Sequence, residues 1–342
     1  MRIIMHLAIV TLLCGFGAKP GLASIGAVTP DLRELCQHAD LVVVGEAVTV
    51  NSDGPTTYAE GGATYPGRVM VVDLQVEEVL KGSQNLRTVT FAYPVPTVPV
   101  VNVGGVGVPA HQFGVFFLIH AHDGYEVVDR DFPYVIATPG APRTTGTIED
   151  RVTAEIAYVL DVASVSDLVK KLAVSLLASL RTERANSALR FAAQHQTVNV
   201  RLAAMGALLA HNDISVLPEA RELLLANDPR IEQGVKNGAA AAIGYGVKNP
   251  AAIPALDSLL HCPDVAVRRG AVSAVRNIGT WAAAKSLAQA LSDPDRTVQY
   301  CAVIGLAEIT GTTGQWAPAM GTFLQNPQIY LDHWQHWARS QT

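Results

Sequence analysis

The sequence predicts a multidomain β + α protein, a small antiparallel β-barrel followed by an α-helical solenoid. Three observations carry that reading. Pro263-Asp264 is followed by Val267, Arg268, Ala271, Val275 and Ile278, and 31 residues later Pro294-Asp295 is followed by Val298, Gln299, Ala302, Leu306 and Ile309. A turn signal that feeds an apolar helical face at a fixed period marks stacked helical repeats. Upstream, Val72, Leu74 and Val76 alternate with Asp73, Gln75 and Glu77, the period of a strand with one buried and one wet face. At Ile148 alternation gives way to helical spacing. The boundaries that follow are a signal peptide over 1–23, the β domain over 24–138, a linker over 139–147 and the repeats over 148–342.

Composition bounds the function. The chain has 342 residues, 49% hydrophobic and 16% charged, with a net charge of −5, which is globular and long enough for two cores. It shows no basic stripe, so nucleic acid is not an expected partner. Arg2 supplies a positive n-region, residues 3–17 an apolar h-region, and Gly21-Leu22-Ala23 a small-residue cleavage site before Ser24, the three parts of a secretory signal peptide. Cleavage removes Arg2 and Lys19 and leaves −7. Leu13 stands where lipoprotein processing requires Gly or Ala, so Cys14 is not expected to carry a lipid. No later run reaches the ~20 apolar residues that span a bilayer, and no integral membrane segment is expected after cleavage. The expected destination is the periplasm or the medium. There disulfides become available, but Cys36, Cys262 and Cys301 are odd in number. They read as buried small side chains, or as a Cys262–Cys301 bridge between adjacent repeats with Cys36 left over.

In chain order, Thr29-Pro30-Asp31 reads as a helix start with a Thr hydroxyl cap. The helix then runs to about residue 38 with Leu32, Leu35 and Cys36 inward. Residues 41–50 are β-branched and strand-like, and 51–67, rich in Gly, Pro and Thr, read as a long loop. Strands are expected over about 68–79, 86–93 and 114–121, the last fully apolar, with Asp123-Gly124 as a tight turn into a fifth strand. Prolines over 94–110 argue for a loop there. The pattern around residues 39–45, 76–82 and 113–118 resembles exported bacterial domains with an OB-type, netrin/TIMP-like barrel, over about 30–135. Animal members of that group inhibit metalloproteases through an N-terminal cysteine framework. Only Cys36 is present here, so protease inhibition through the barrel stands as an alternative function that the resemblance does not itself carry over.

In the second half, Ile156, Val159 and Leu160 share a helical face. Ser166-Asp167 opens a helix with Leu168, Leu172, Leu176 and Leu180 every four residues. Four inner helices align on Val200-Arg201, Val235-Lys236, Val267-Arg268 and Val298-Gln299, followed by Ala204, Ala239, Ala271 and Ala302 and then by Leu208, Ile243, Val275 and Leu306. Residues 263–271 and 293–299 resemble HEAT repeats, of the short type found in phycobilisome-lyase-like proteins, over about 185–312. The resemblance implies an armadillo-type solenoid and a protein partner. Asp264 stands four residues before Arg268, an ion-pair spacing, so the basic ladder Arg201, Lys236, Arg268 reads as structural rather than as a phosphate track. Trp316, Trp334 and Trp337, among the aromatics of 316–337, read as a cap on the last repeat or as a docking patch for a partner or saccharide.

Candidates for chemistry are sparse. His120 and His122, with Asp123, could hold a metal ion, and His333 and His336 have a workable ligand spacing without a third group. His195, His211 and His261 fall at helix ends, where imidazoles meet the last carbonyls. No Gly-x-Ser-x-Gly elbow, phosphate loop, His-Glu dipeptide or zinc helix is present, and no organic cofactor is expected. The function read from the sequence is an exported, non-enzymatic protein-interaction scaffold. The alternatives are a metal-dependent enzyme or metal-binding protein at His120/His122 and the protease inhibitor.

Overall fold

The computed structural model describes residues 30–60, 62–98, 107–122, 124–226, 228–312 and 314–341. The signal-peptide segment, Thr29 and Asp123 lie outside them. Helix α1 (Leu32–His38) is capped by Asp31, whose carboxylate accepts the amides of Arg33 and Glu34. This corrects the expected Thr29 cap. The Asp side chain reaches the N2 and N3 amides, which places Pro30 before the helix. Leu32, Leu35 and Cys36 are buried as expected, and burial, with Glu149 next, pushes the Cys36 thiol up to about 12.

Among the described residues six strands follow: β1 (Leu41–Glu60), β2 (Ala63–Lys81), β3 (Thr88–Pro96), β4 (Phe113–Ala121), β5 (Gly124–Val127) and β6 (Val135–Ile136). The expected loop over 51–67 is instead the far half of a β1–β2 hairpin, paired out to Glu60↔Ala63. Its composition misleads because β1 leaves β4 after Glu46. From there β1 lies at an edge, which tolerates Pro55. Tyr58 pins this arm, buried, with its hydroxyl donating to Asp131 at 2.6 Å. Register shifts at Val42, Val44, Ala47 and Ser52 bend the two long strands.

β1 pairs with both β2 and β4, the ladder runs β1-β2-β3-β5-β4, and β6 adds to β4. The expected all-antiparallel pairing fails at one seam, where Phe91↔Tyr125 and Ala92↔Glu126 are parallel. β5 turns back antiparallel to β4 and so lies beside β3 in the same direction. The continuous apolar run of β4 is explained by burial on both faces. Phe116 and Leu118, with Val43, Phe91 and Tyr93, form one core. Val115 and Phe117, with Val42, Val44 and Leu80, belong to a second core shared with α1 and the helices beyond.

Those helices are α2 (Ile148–Asp161), α3 (Asp167–Ser179), α4 (Glu183–Ala192), α5 (Val198–Ala210), α6 (Leu217–Leu225), α7 (Gln233–Gly246), α8 (Ile253–Leu259), α9 (Val265–Ile278), α10 (Ala284–Ala290), α11 (Arg296–Thr310), α12 (Met320–Gln325) and α13 (Pro327–Ser340). α3, α5, α7, α9 and α11 stack in succession as an inner layer, and α4, α6, α8 and α10 lie outside. Ala204, Ala239, Ala271 and Ala302, with Leu208, Ile243, Val275 and Leu306, are buried as aligned. Between α7 and α9 the helices touch backbone to backbone: a Cβ on Gly270 would stand 2.2 Å from the Ala240 carbonyl oxygen.

The face of α3 differs from expectation. Leu168 is 73% exposed, while Lys170, Ala173, Val174, Leu176 and Leu177 are buried. A four-residue stripe drifts about 40° per step around a 3.6-residue helix, so leucines spaced by four do not share one side. Arg268 also departs from its expected Asp264 partner. Its guanidinium grips Asp293, in the turn of the next repeat, at 2.8 and 3.2 Å and donates to the carbonyls of Cys262 and Pro263. Asp264 instead caps α9 through the Ala266 amide and accepts from Gln233. Arg269–Asp295 and Arg276–Glu308 repeat the clamp, so these arginines join repeats to one another.

α2 packs directly against β2 and β6. Arg151 donates to the carbonyls of Leu80 and Val79, and to Glu78 at 2.7 Å. Thr147 and Asp150 form a reciprocal capping box at its start. Thr147→Ala should therefore cost about 1 kcal/mol, read in urea melts; an unchanged midpoint would show that the helix does not depend on its cap. Glu155, on the same helix, is only 4% exposed. Burial first, then Glu78 and Glu77, push its carboxyl up to about 7 against the opposing pull of Arg151.

Candidate partner-binding site

The end of the array is built on α11. Phe323 of α12 and Leu331 and Trp334 of α13 are buried, and Tyr300 of α11 meets Phe323 at 5.5 Å. A single 3₁₀ turn (Gly314–Trp316) presents the Trp316 carbonyl to the Trp334 indole N–H at 3.1 Å. The Trp316 ring stacks on His333 at 3.7 Å and 3°. Burial, and behind it His336, lower the His333 pKa below the usual imidazole value. Of the three tryptophans singled out in the sequence, Trp334 is interior, Trp316 is fixed against α13, and Trp337 is partly buried at the edge of the cluster, 5.7 Å from Trp334.

Trp337 also faces Trp281, which sequence reasoning passed over. The αL cap at Gly279 ends α9, and a single 3₁₀ turn (Trp281–Ala283) opens toward α10. Ala283 turns inward and Trp281 outward, 62% exposed, with its ring 6.1 Å from that of Trp337 and tilted by 32°. Together with Ala284, Lys285, Ala288 and Arg339 the two rings line a groove of about 640 Å³ between α10 and α13. The repeat itself does not demand this ring. The matching turns before α6 and α8 begin with Ile214 and Pro250. The available signal was a large aromatic at a position where the neighbouring repeats carry smaller side chains.

The other candidates are scattered. His120 is exposed, lies 4.8 Å from the Tyr125 ring, and shares Asp40 through its backbone amide at 2.9 Å and Nδ1 at 3.2 Å. Its two bonds, the amide first, lower the Asp40 pKa. Asp40 is thus the carboxylate that meets His120, and spacing alone does not reveal it. His122 is exposed in the turn beyond β4. Among the described residues no group of three or more His, Cys, Asp or Glu gathers as a metal site. Cys262 and Cys301 are free and buried, and the alternative of a bridge between them is not what the structure has. The Cys262 thiol turns back to the Leu224 carbonyl at 3.6 Å, whereas Cys301 lies against Ser273 and Arg276 of α9, so the two serve different repeat junctions. His261 meets the Asp257 carbonyl and His211 that of Ala178, while His195 is placed between Lys170 Nζ and the Thr197 amide. Among the described residues no helix is long and apolar enough to cross a membrane.

A family model for HEAT repeats matches residues 232–307, from the start of α7 into α11. This segment carries HEAT repeats. Among solved structures, the chain is similar to a designed armadillo repeat protein at 24% identity, covering 47% of this chain and 84% of that one, with a TM-score of 0.33. A second designed armadillo repeat protein, in complex with peptide (KR)4, matches at 22% identity over 47% and 83%, with a TM-score of 0.35. YibA of Escherichia coli matches at 20% identity over 47% and 63%, with a TM-score of 0.33. No curated protein matches the chain.

Proposed function

We propose that the chain is an exported, non-enzymatic interaction scaffold that binds another protein along its helical repeats. The observation that carries this reading is a run of HEAT repeats whose ion pairs are spent between repeats, which leaves a stiff extended surface as the feature available for use. Export rests on the three-part pattern of residues 1–23. We read the N-terminal domain as an OB-like barrel, because its pairings return from β4 to β1 and β3 runs parallel to β5. In this reading the barrel sets the position of the repeats, and Arg151 and the shared core hold the two together.

The test places a photo-crosslinking amino acid, one site at a time, at exposed Phe191, Tyr245, Trp281 and Leu324, with Val48 on the sheet as a control site. Discrete adducts to one protein from helical sites, followed by a stoichiometric complex of the purified pair, are the expected result. Adducts confined to Val48 would sink the reading. So would an identified partner that fails to bind the purified chain. N-terminal sequencing should begin at Ser24, and a start at Met1 would refute export by cleavage.

A further inference from the structure

We propose that Arg151 is a two-position switch at the seam between the sheet and the repeats. It grips β2 while the Glu155 carboxyl is neutral, and turns to Glu155 once that carboxyl ionises, which loosens the seam. The inference stands on the fold and does not depend on which partner the repeats bind. Arg151 reaches from α2 to the Leu80 carbonyl at 2.7 Å, the Val79 carbonyl at 3.0 Å and Glu78 at 2.7 Å. The Arg151 and Glu78 side chains are only 18% and 15% exposed. One turn further along α2, Glu155 is buried and accepts no hydrogen bond among the described residues. A carboxyl so placed is tolerated while neutral, but its anion needs a cation. Arg151 stands four residues before it, an ion-pair spacing on a helix, and its charge already bears on Glu155.

The charges on the elements packed against α2 leave Arg151 as that cation. α2 touches α1, α3, α4, β2 and β6. On β2, Glu78 and Glu77 oppose ionisation of Glu155, and Lys81 donates to the Cys36 and Gln37 carbonyls. On α3, Lys170 meets His195, Lys171 meets Glu232, and Asp167 accepts from Thr197. On α4, Arg184 donates to the Asp150 carbonyl and Arg190 to Glu183. α1 carries Arg33, Glu34 and His38 at exposed positions, and β6 is apolar. Burial first, then Glu78 and Glu77, push the Glu155 carboxyl up to about 7, so the changeover falls near neutrality. Below it the carboxyl keeps its proton and Arg151 stays on β2. Above it the proton passes to water, and the anion one turn away competes with Glu78 for the guanidinium.

The test is a double-mutant cycle on the purified chain at pH 5.5 and pH 8.5, with Arg151→Met, Glu78→Gln and the pair read in urea melts. Their coupling should change the unfolding constant at least about tenfold at pH 5.5 and less than about twofold at pH 8.5. In a Glu155→Gln background, where the side chain cannot ionise, the tenfold coupling should hold at both. A second measurement leaves the clamp intact. Spin labels at Val48→Cys on the sheet and Phe191→Cys on α4, both exposed in the structure, report the spread of distances across the seam. That spread should be narrow at pH 5.5, at least about twice as wide at pH 8.5, and narrow at both in Glu155→Gln. Coupling or spread that is the same at the two pH values in the unaltered chain would overturn the switch. So would a pH dependence that survives Glu155→Gln, because another group would then be its source. Failure to find a partner for the repeats touches neither measurement.

Discussion

Gly270→Ala is expected to destabilise the protein by about 2–4 kcal/mol, although alanine is the better helix former. On an unencumbered helix the exchange stabilises by about 0.5–1 kcal/mol. At Gly270 the new methyl would stand 2.2 Å from the Ala240 oxygen and 3.1 Å from its Cα, and backbone cannot swing aside as a side-chain tip can. α7 and α9 would have to part, loosening the contacts of Val267, Ala271 and Ala240 that their closeness permits. Gly238 supplies the control, because it lies in α7 and a Cβ there meets nothing within 4 Å. Gly238→Ala should raise stability by about 0.5–1 kcal/mol. Urea melts of the two variants should move in opposite directions; a stabilised Gly270→Ala would mean that the inter-helix contact is looser than described.

Glu155→Gln should stabilise the chain at pH 8 by about 3 kcal/mol and hardly at all at pH 4.5. Burial and the neighbouring Glu78 and Glu77 raise the folded carboxyl to about 7 from its ordinary 4.5. Between those values the folded chain keeps a proton that the unfolded chain gives up. This group's contribution is therefore most favourable below about pH 4.5, declines as pH rises through 4.5–7, and is level above that window. The amide copies the protonated carboxyl in shape and does not titrate, so the difference between the two proteins should open across the same interval. Each pKa unit is worth about 1.4 kcal/mol, which sets the size. Stability curves that run parallel from pH 4.5 to 8 would defeat the prediction.

The repeats were legible because their evidence is local. Val267, Ala271 and Val275 lie within one helix, and 3.6-residue spacing forces them onto one side. What escaped the sequence depends on residues far apart along the chain. Arg268 finds Asp293 rather than Asp264 because stacking brings the next turn within reach. The hairpin over 51–67 is hidden because its residues gain their ladder from β2, against a composition that favours turns. The bridge between Cys262 and Cys301 looked feasible while each repeat was treated as a point, but the two thiols address different neighbours. Among the tryptophans, counting aromatics found Trp316, Trp334 and Trp337 but said nothing of which is interior. Trp281 stood alone in sequence and acquired a companion only when α13 folded back onto α10.

The core shared by the sheet and the helices bears on the order in which the molecule comes apart. In a row of units held by nearest-neighbour contacts, loss of structure begins at an end, where a unit has one neighbour instead of two. Here α2 is flanked by α3 and α4 on one side and by β2 and β6 on the other, and the apolar interior passes through it without a break from Val42 and Phe117 to Ile156 and Leu177. The first helices therefore have no loose end. Unravelling of the row should start from α13 and travel toward the sheet, with amide protons of α2 and α3 exchanging after those of α12 and α13.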